Sequence, residues 1–495
     1  MLEEIFDRIT HEKDALAKAL SLIPSLYYGF DDTYKIILKE LQNLKLGSEA
    51  EILLAEACYI ENRSNLLEGL AKKAISFFRT SPLRGYKTLA FYIPYLIKVG
   101  KEENLLDNIL TFFYEALTSG ALDLYDVNNF FEVFFRYCWL FGIEIESFIN
   151  EVKEFYKKYR VMLDFYDVLT SYTKSSGFLP PPEKSVIYLY ENIYKKIEVL
   201  ELPHIRLSSS LILALFQIGL KEKAWSELQK AISLYPIEID SFKLFSSVEK
   251  LRARAGLLFA LTGKNTSNEL LKATEDLLES LFELIKYVLW KYDAFRKGKE
   301  IFLYDINDFI EYMRELGEEE IIREKEVREN LNYYFLVVIN HLSEIIDATL
   351  TNLSNSYLSE CPIKTDEIAS RIVNLLKKVK YFDPSFKASQ FSTLGLLWSK
   401  YDTNETINMF KHAEENVISY CQREKEKFYC NTLIYDICVK LGRSFFMSKN
   451  NEILEYFLHL LEKSNYFKGN RFSIRGFISG IYGLCILKNY ARNFR

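Results

Sequence analysis

The clearest indication of the fold comes from Leu211-Ile-Leu-Ala-Leu-Phe-Gln-Ile-Gly219, which is followed after a short turn by Ala224-Trp-Ser-Glu-Leu-Gln-Lys-Ala-Ile232. In the first half, apolar residues recur at positions 211, 212, 215 and 218, which places them on one face of a helix. Gly219 then supplies a residue that adopts positive φ at a helix C-terminus without strain. In the second half the apolar positions are 224, 228, 231 and 232, and Pro236 ends the pattern. The stretch predicts two antiparallel helices joined by a tight turn.

Outlines of the same kind, helix then turn then helix, recur on both sides of this stretch. The turns fall near residues 61, 100, 142, 219, 263, 401 and 448, and neighbouring turns within each run are about 39 to 47 residues apart. One amphipathic hairpin cannot bury its apolar face alone and must stack on its neighbours. We therefore predict an all-α fold, an α-solenoid of about nine to twelve stacked antiparallel helical hairpins that form a superhelix.

Residues 208–236 resemble one unit of the tetratricopeptide repeat (TPR) family. Six residues fall at the spacing of that motif: Leu211, Gly219, Ala224, Leu228, Ala231 and Pro236. Ile212 and Leu215 depart from it, since the motif favours a small residue and an aromatic residue there. The next hairpin keeps Gly263 but has Asn268 where the motif has alanine, and its longer period is equally compatible with HEAT-like hairpins. The resemblance implies a superhelical scaffold that binds a protein segment.

Stretches rich in turn residues divide the predicted array. Residues 175–184 hold three of the ten prolines and cannot continue a helix, so we predict a linker or break there. This division gives an N-terminal hairpin array at 1–174 and a C-terminal array at 185–495. Within the second array we predict longer helices at about 268–354 and a basic terminal segment at 463–495.

The composition fits a helical globular protein. The 495 residues include 34 Tyr and 37 Phe but only 19 Gly and 10 Pro, too few turn residues for the many tight turns of an all-β fold. Apolar residues at 49% and charged residues at 26% exclude wholesale disorder. A count of only five Gln in 495 residues is typical of a thermophile protein, whereas the abundant Asn argues against such an origin. The sequence therefore leaves open whether the protein comes from a thermophile.

The sequence shows no targeting or membrane segment. The N-terminus is acidic and amphipathic, unlike a secretory signal, and no uncharged apolar run reaches the roughly 20 residues that span a bilayer. The seven cysteines are odd in number and scattered, unlike a disulfide framework. We predict a cytoplasmic, reduced protein with no membrane span.

Motifs for phosphate and metal binding are incomplete. Gly263-Lys264 resembles the end of a phosphate-binding loop, but Leu258 stands where the first glycine is required. His412 and Glu414 match part of the zinc deaminase pattern, whose cysteine pair is missing.

The cysteine spacing and the search for nucleophile motifs provide no further candidate site. Cys421 and Cys430 are nine residues apart, which places them on opposite faces of a continuous helix. The sequence has no Gly-x-Ser-x-Gly nucleophile elbow. We therefore predict no catalytic residue, no metal site and no cofactor. An enzyme whose site is assembled only in the tertiary structure stays an alternative.

The charge is unevenly distributed along the chain. Residues 463–495 carry seven basic residues and no acidic one, a formal charge of +7, which leaves −12 on residues 1–462. Aromatic residues alternate with these charges. Such a surface suits an acidic protein partner, an acidic part of the same chain, or a nucleic acid with stacked bases. The candidate binding residues are Arg471, Arg475, Lys488 and Arg492.

The same segment also has the features of a packing helix, with glycines at 476, 480 and 483 that would let a neighbouring backbone approach. We expect a non-enzymatic scaffold or adaptor that holds a protein partner in the groove of the superhelix. A second copy of the same chain is among the candidate partners. The alternative is a nucleic-acid-associated subunit. It predicts salt-sensitive binding that is lost when the four candidate residues are neutralised.

Overall fold

The computed structural model describes residues 1–196 and 382–493, apart from short gaps at 12, 43–46, 102–103, 147, 175–181, 400 and 425. Between these ranges it describes part of 207–234, residues 365–378 and a few single positions from 276 to 346. Every described element is helical, and the described residues include no strand. The prediction of an all-α fold is confirmed at this level.

The helices of the N-terminal part follow one another with short turns. They are α1 (Leu2–His11), α2 (Ala15–Tyr28), α3 (Asp31–Leu41), α4 (Glu49–Ile60), α5 (Ser64–Thr80), α6 (Pro82–Lys98), α7 (Leu105–Thr118), α8 (Leu124–Leu140), α9 (Ile149–Lys158), α10 (Met162–Lys174) and α11 (Glu183–Tyr188). The backbone continues from α11 through a π-helical turn at Leu189–Ile193 and a 3-10 turn at Tyr194–Lys196.

The later helices are longer on average. They are α12 (Lys221–Leu234), α13 (Thr365–Lys378), α14 (Pro384–Trp398), α15 (Thr403–Arg423), α16 (Lys427–Ser448), α17 (Asn451–Lys463) and α18 (Arg471–Asn493). Among the described residues, no helix is both long and apolar enough to cross a membrane.

The predicted turns coincide with helix boundaries wherever the structure describes them. The turns near 61, 100, 142, 219, 401 and 448 each lie between two helices, and the one near 263 lies outside the described residues. Gly219 has φ +89°, and the N–H of Leu220 donates to the Leu215 carbonyl at 2.9 Å, so the residue ends its helix as predicted. Polar N-caps begin other helices: the Asp123 carboxylate, for example, accepts the N–H of Asp126 at 2.9 Å.

The chain divides into two compact units, one formed by Met1–Val199 with Phe391–Arg495 and the other by Leu200–Gln390. In the first unit, the even-numbered helices α2, α4, α6, α8 and α10 contact one another in sequence order. The aromatic stripe of α8 is core: Phe130, Phe131, Phe134 and Phe135 are all buried. These four phenylalanines are thus part of the core that the helices of the first unit share.

The described part of the second unit consists mainly of α12, α13 and part of α14. In α13, the Arg371 guanidinium forms a two-armed ion pair with Glu279 and lies 4.0 Å from the centre of the Phe282 ring. The linker predicted at 175–184 falls mostly on residues outside the described ones, and so do the long helices predicted at about 268–354. The predicted domain division therefore stays a prediction.

Helix α18 connects the two chain segments of the first unit. It packs on α16 in the C-terminal segment and on α2 in the N-terminal segment. Two glycines allow the contact with α16: a Cβ at Gly480 would lie 2.1 Å from the Val439 carbonyl oxygen, and one at Gly476 would lie 2.6 Å from the Tyr435 carbonyl oxygen. The predicted close approach is confirmed at both positions. It is wrong for Gly483, where a Cβ would meet nothing within 4 Å.

Candidate functional site

The four candidate binding residues all lie on α18. Arg471 begins the helix and is exposed, whereas Arg475 follows one turn later and is only 17% exposed. Their guanidinium carbons lie 5.0 and 5.2 Å from the centre of the Phe472 ring, within cation–π range. The side chains of Lys488 and Arg492 lie outside the described residues. The structure therefore brings Arg471 and Arg475 together.

Arg475 is engaged by an acidic residue of the same chain. Its Nε donates to Asp14 Oδ2 at 2.9 Å, and its Nη2 donates to the same oxygen. The other Asp14 oxygen caps α2 by accepting the N–H groups of Leu16 and Ala17 at 3.1 and 3.3 Å. Since Asp14 is 12% exposed, the pair is largely screened from water. Arg475 thus ties α18 to α2.

The residue before Arg471 contacts the first turns of α16. Asn470 caps α18 through the Phe472 N–H, which donates to its Oδ1 at 3.0 Å, and its Nδ2 donates to Asn431 Oδ1 of α16, also at 3.0 Å. The N-terminal ends of α16 and α18 therefore share one edge of the first unit.

Two aromatic side chains project from this edge. Phe428 is 71% exposed and Tyr429 is 51% exposed, and their ring centres are 5.7 Å apart in an edge-to-face arrangement. Exposed basic residues precede them at the end of α15 and the start of α16, and others lie at and just before the start of α18, which shares this edge. We call the set Arg423, Lys427, Phe428, Tyr429, Lys468 and Arg471 the basic–aromatic surface.

Two acidic residues interrupt this surface in the turn between α15 and α16. Glu424 is half-buried, and its Oε1 accepts the Glu426 N–H at 2.9 Å, which fixes the turn. Glu426 itself is exposed. The surface therefore carries discrete positive charges with negative charges between them rather than a uniform basic stripe.

The same turn corrects the prediction for two cysteines. Helix α15 ends at Arg423 and α16 begins at Lys427, so the helix is not continuous between Cys421 and Cys430. Their predicted placement on opposite faces is wrong for that reason.

A buried carboxylate forms a second polar cluster, at the joint of α4, α8 and α18. Glu56 is 0% exposed, and it accepts the Tyr137 hydroxyl at 2.7 Å and the Tyr482 hydroxyl. Burial raises the pKa of Glu56 to about 7, against the lowering effects of the Arg136 charge and the Tyr137 hydrogen bond. The cluster links three helices through two hydroxyl donors.

The partial zinc pattern has structural partners instead. His412 Nδ1 lies 3.2 Å from Glu415 Oε2, and its ring lies 5.2 Å from that of Phe391. Glu414 accepts the Tyr456 hydroxyl at 3.1 Å. The part of the chain that the structure describes contains no group of three or more residues placed to hold a metal ion. Gly263-Lys264 lies outside the described residues.

Phe428 and Tyr429 are not among the binding residues predicted from the sequence. Their signal is visible afterwards: both precede the first buried residue of α16, Cys430, and they directly follow a run of charged residues. Apolar residues just outside a helical stripe are exposed when the helix has no neighbour at that turn.

The chain matches no protein-family model, no curated protein and no solved structure.

Proposed function

We propose that the chain is a non-enzymatic scaffold of stacked helical hairpins that binds an acidic protein partner through its basic–aromatic surface. The observation that carries this proposal is the exposed Phe428–Tyr429 pair at the edge where Lys427 begins α16 and Arg471 begins α18. Aromatic residues and arginine supply most of the binding energy at protein interfaces. Such residues are rarely left in water together without a partner.

The packing of the first unit supports a scaffold of the TPR or HEAT kind. In stacked-hairpin proteins alternate helices form one layer, and α2, α4, α6, α8 and α10 contact one another in that order. Scaffolds of this type bind with surfaces at the hairpin ends or in the concave groove. The basic–aromatic surface lies at the end of the α15–α16 hairpin.

A protein partner fits the charge pattern better than a nucleic acid. A phosphate backbone presents closely spaced negative charges that would face Glu424 and Glu426 as well as the basic residues. A protein segment can place single carboxylates opposite Lys427 and Arg471 and an apolar side chain against Phe428. We therefore assign the surface to an acidic segment with an apolar anchor.

The test measures binding of two probes to the purified chain. One is an acidic amphipathic peptide rich in Glu with a single Trp, and the other is a single-stranded oligonucleotide. Fluorescence anisotropy should detect the peptide, and both Phe428→Ala and the double variant Lys427→Glu/Arg471→Glu should weaken it at least tenfold, or about 1.4 kcal/mol.

The matched control is Tyr125→Ala, which removes another exposed aromatic residue, on α8. It should leave peptide binding unchanged. Preferential, salt-sensitive binding of the oligonucleotide would support the nucleic-acid alternative instead. Absence of peptide binding, or equal losses in Tyr125→Ala and Phe428→Ala, would count against the proposed surface.

A further inference from the structure

A second group of basic residues lies on the α5–α6 hairpin, apart from the basic–aromatic surface. Residues 69–101 contain seven Lys and Arg residues and no Asp or Glu, a formal charge of +7 that leaves −12 on the rest of the chain. Helices α5 and α6 fall mostly within this segment, and only Ser81 lies between them. The hairpin is therefore strongly positive in a chain whose net charge is negative.

The exposed face of α5 is a stripe of positive charge. Lys72, Lys73 and Arg79 are exposed, and at 100° per residue they fall within an arc of about 120° together with exposed Ser76 and Thr80. Lys72 and Arg79 are about 10 Å apart along the helix axis. Basic and hydroxyl side chains along one line are the groups that contact the phosphates of a nucleic acid.

The turn between the two helices extends this charge to α6. Gly85 packs so closely on α5 that a Cβ there would lie 2.7 Å from the Phe78 Cα, which brings the end of α5 against the start of α6. Arg79 follows Phe78 and Arg84 precedes Gly85, and both arginines are exposed. We call the set Lys72, Lys73, Arg79 and Arg84 the hairpin surface.

The hairpin surface has no acidic partner in the part of the chain that the structure describes. None of its four side chains forms an ion pair or a hydrogen bond with another described residue. Glu68, the last acidic residue before the stripe, is bound by Lys101 Nζ at 2.7 Å, which leaves Lys72 near it without an ion pair. Lys87 is left out of the surface because it lies over the Tyr86 ring, whose hydroxyl donates to Asp126.

The side chains around these four charges favour a nucleic-acid duplex over other polyanions. No aromatic side chain of α5 or α6 is exposed, so a single strand would find no ring on which to stack its bases. An acidic protein segment would find no aromatic anchor either. A membrane-binding helix presents large apolar side chains beside its basic ones, whereas the exposed residues of α5 include none.

We propose that the hairpin surface binds the phosphate backbone of a nucleic-acid duplex without reading its sequence. Each of the four basic side chains neutralises a phosphate and releases condensed counterions, and contacts to phosphates carry no sequence information. The inference goes beyond the proposed function, because it adds a second partner at a separate surface.

The test measures binding of duplexes of about 20 base pairs to the full chain by fluorescence anisotropy, from about 50 to about 200 mM salt. The logarithm of the binding constant should fall linearly with the logarithm of the salt concentration, with a slope of about −3.6 for four phosphate contacts. Two DNA duplexes of unrelated sequence should bind within about threefold of each other. An RNA duplex is measured beside them; binding of either kind supports the proposal, and the tighter one identifies the natural partner.

Three results would overturn the proposal. They are a salt slope near zero, tighter binding of a single strand of the same length, and binding of phosphatidylserine vesicles without binding of a duplex. These measurements use the unsubstituted chain, so they decide the question even where a variant folds poorly.

A pair of double variants locates the binding surface. Lys72→Gln/Arg79→Gln should weaken duplex binding at least about tenfold at low salt and make the salt slope shallower by about 2. The matched control is Lys39→Gln/Lys411→Gln, which removes the same charge from exposed positions on α3 and α15 and should change the affinity by less than about twofold. Equal losses in the two variants would show attraction to overall charge rather than to this surface, and would contradict the proposal.

The two proposals can fail separately. Lys72→Gln/Arg79→Gln should keep its affinity for the acidic peptide, since the hairpin surface is not part of the basic–aromatic surface. Loss of duplex binding in Lys427→Glu/Arg471→Glu but not in Lys72→Gln/Arg79→Gln would assign the duplex to the basic–aromatic surface and overturn the inference.

Discussion

Arg471 and Arg475 lie one turn apart on α18, yet they belong to different regions of the molecule. Arg471 lies on the basic–aromatic surface. Arg475 is paired with Asp14 in the region where α18 packs on α2, α4 and α16, and we call this region the joint. The two residues have the same charge and contact the same ring, that of Phe472. The partner of a basic residue, rather than the basic pattern itself, therefore decides whether its charge is available for binding.

The two regions also use their aromatic residues differently. In the joint, Tyr482 donates to a buried carboxylate, and Tyr27 of α2 packs on Phe446 of α16 with ring centres 5.2 Å apart. On the surface, Phe428 and Tyr429 contact each other and remain largely in water. Substitutions in the joint should therefore change stability, and substitutions on the surface should change binding.

The largest effect is expected at the helix contact inside the joint. Gly480→Ala should lower the free energy of unfolding by about 3 kcal/mol, because its Cβ would overlap the Val439 carbonyl and force the two backbones apart. Gly483→Ala, three residues along the same helix, should be neutral or stabilising by about 0.5–1 kcal/mol, because its Cβ has space. Urea denaturation measures both. Equal losses at the two positions would contradict the close contact.

The next largest effect is a dependence of the free energy of unfolding on pH, which comes from Glu56. Its folded-state pKa of about 7 lies above the 4.5 of an ordinary glutamate, so between these values the folded state holds a proton that the unfolded state has released. The stability this proton gives is complete below about pH 4.5 and is lost as the pH rises through about 7.

Between pH 5 and pH 8 this component should reduce the free energy of unfolding by about 2 kcal/mol. The Glu56→Gln variant has no titrating proton at this position. Its free energy of unfolding should therefore fall correspondingly less between pH 5 and pH 8. The measurement is urea denaturation of both proteins at each pH. Parallel pH profiles would show that Glu56 does not titrate in this range.

A smaller effect tests the comparison of the two arginines directly. Arg475→Ala should lower the free energy of unfolding by about 1.5 kcal/mol, because it leaves a mostly buried Asp14 oxygen without its charged donor. Arg471→Ala should change it by less than about 0.5 kcal/mol, as is usual for exposed positions. Thermal and urea unfolding of the two variants provide the measurement. Similar losses would mean that both arginines belong to the joint.

The smallest effect on stability is expected at the exposed aromatic residues. Phe428→Ala and Tyr429→Ala should each change the free energy of unfolding by less than about 0.5 kcal/mol, since little apolar area is removed from the core. A loss above about 1 kcal/mol in urea denaturation would place these rings in the core and would weaken the case for a binding surface.

The sequence was sufficient to predict much of the local structure of the described residues. Apolar periodicity located helices such as α8 and α16, and Gly219 marked a helix end because its φ of +89° suits glycine. The glycines of α18 were predicted to permit a close contact, and the sequence could not say that α16 would supply it at Gly476 and Gly480 but not at Gly483. Which face of a helix meets a neighbour depends on tertiary packing.

The sequence could not reveal the contacts that define the two regions. Asp14 pairs with a residue 461 positions away, and no local pattern marks such a pair. The turn between Cys421 and Cys430 contains no Gly or Pro, and its Glu and Lys residues are good helix formers, so the pattern predicted a continuous helix. The helix ends there because Glu424 and Glu426 adopt extended backbone angles, which the Glu424 side chain stabilises.

The contact between α2 and α18 has a consequence for how the chain folds. Bringing Asp14 and Arg475 together closes a loop of 461 residues, and the chain entropy lost in that step corresponds to about 5 kcal/mol. On the ribosome, the face of α2 that receives α18 stays uncovered for roughly 20 to 90 s after its own synthesis. During that interval the apolar side chains of α2 are open to wrong contacts. The packing of α2 is therefore completed only after α18 has been synthesised.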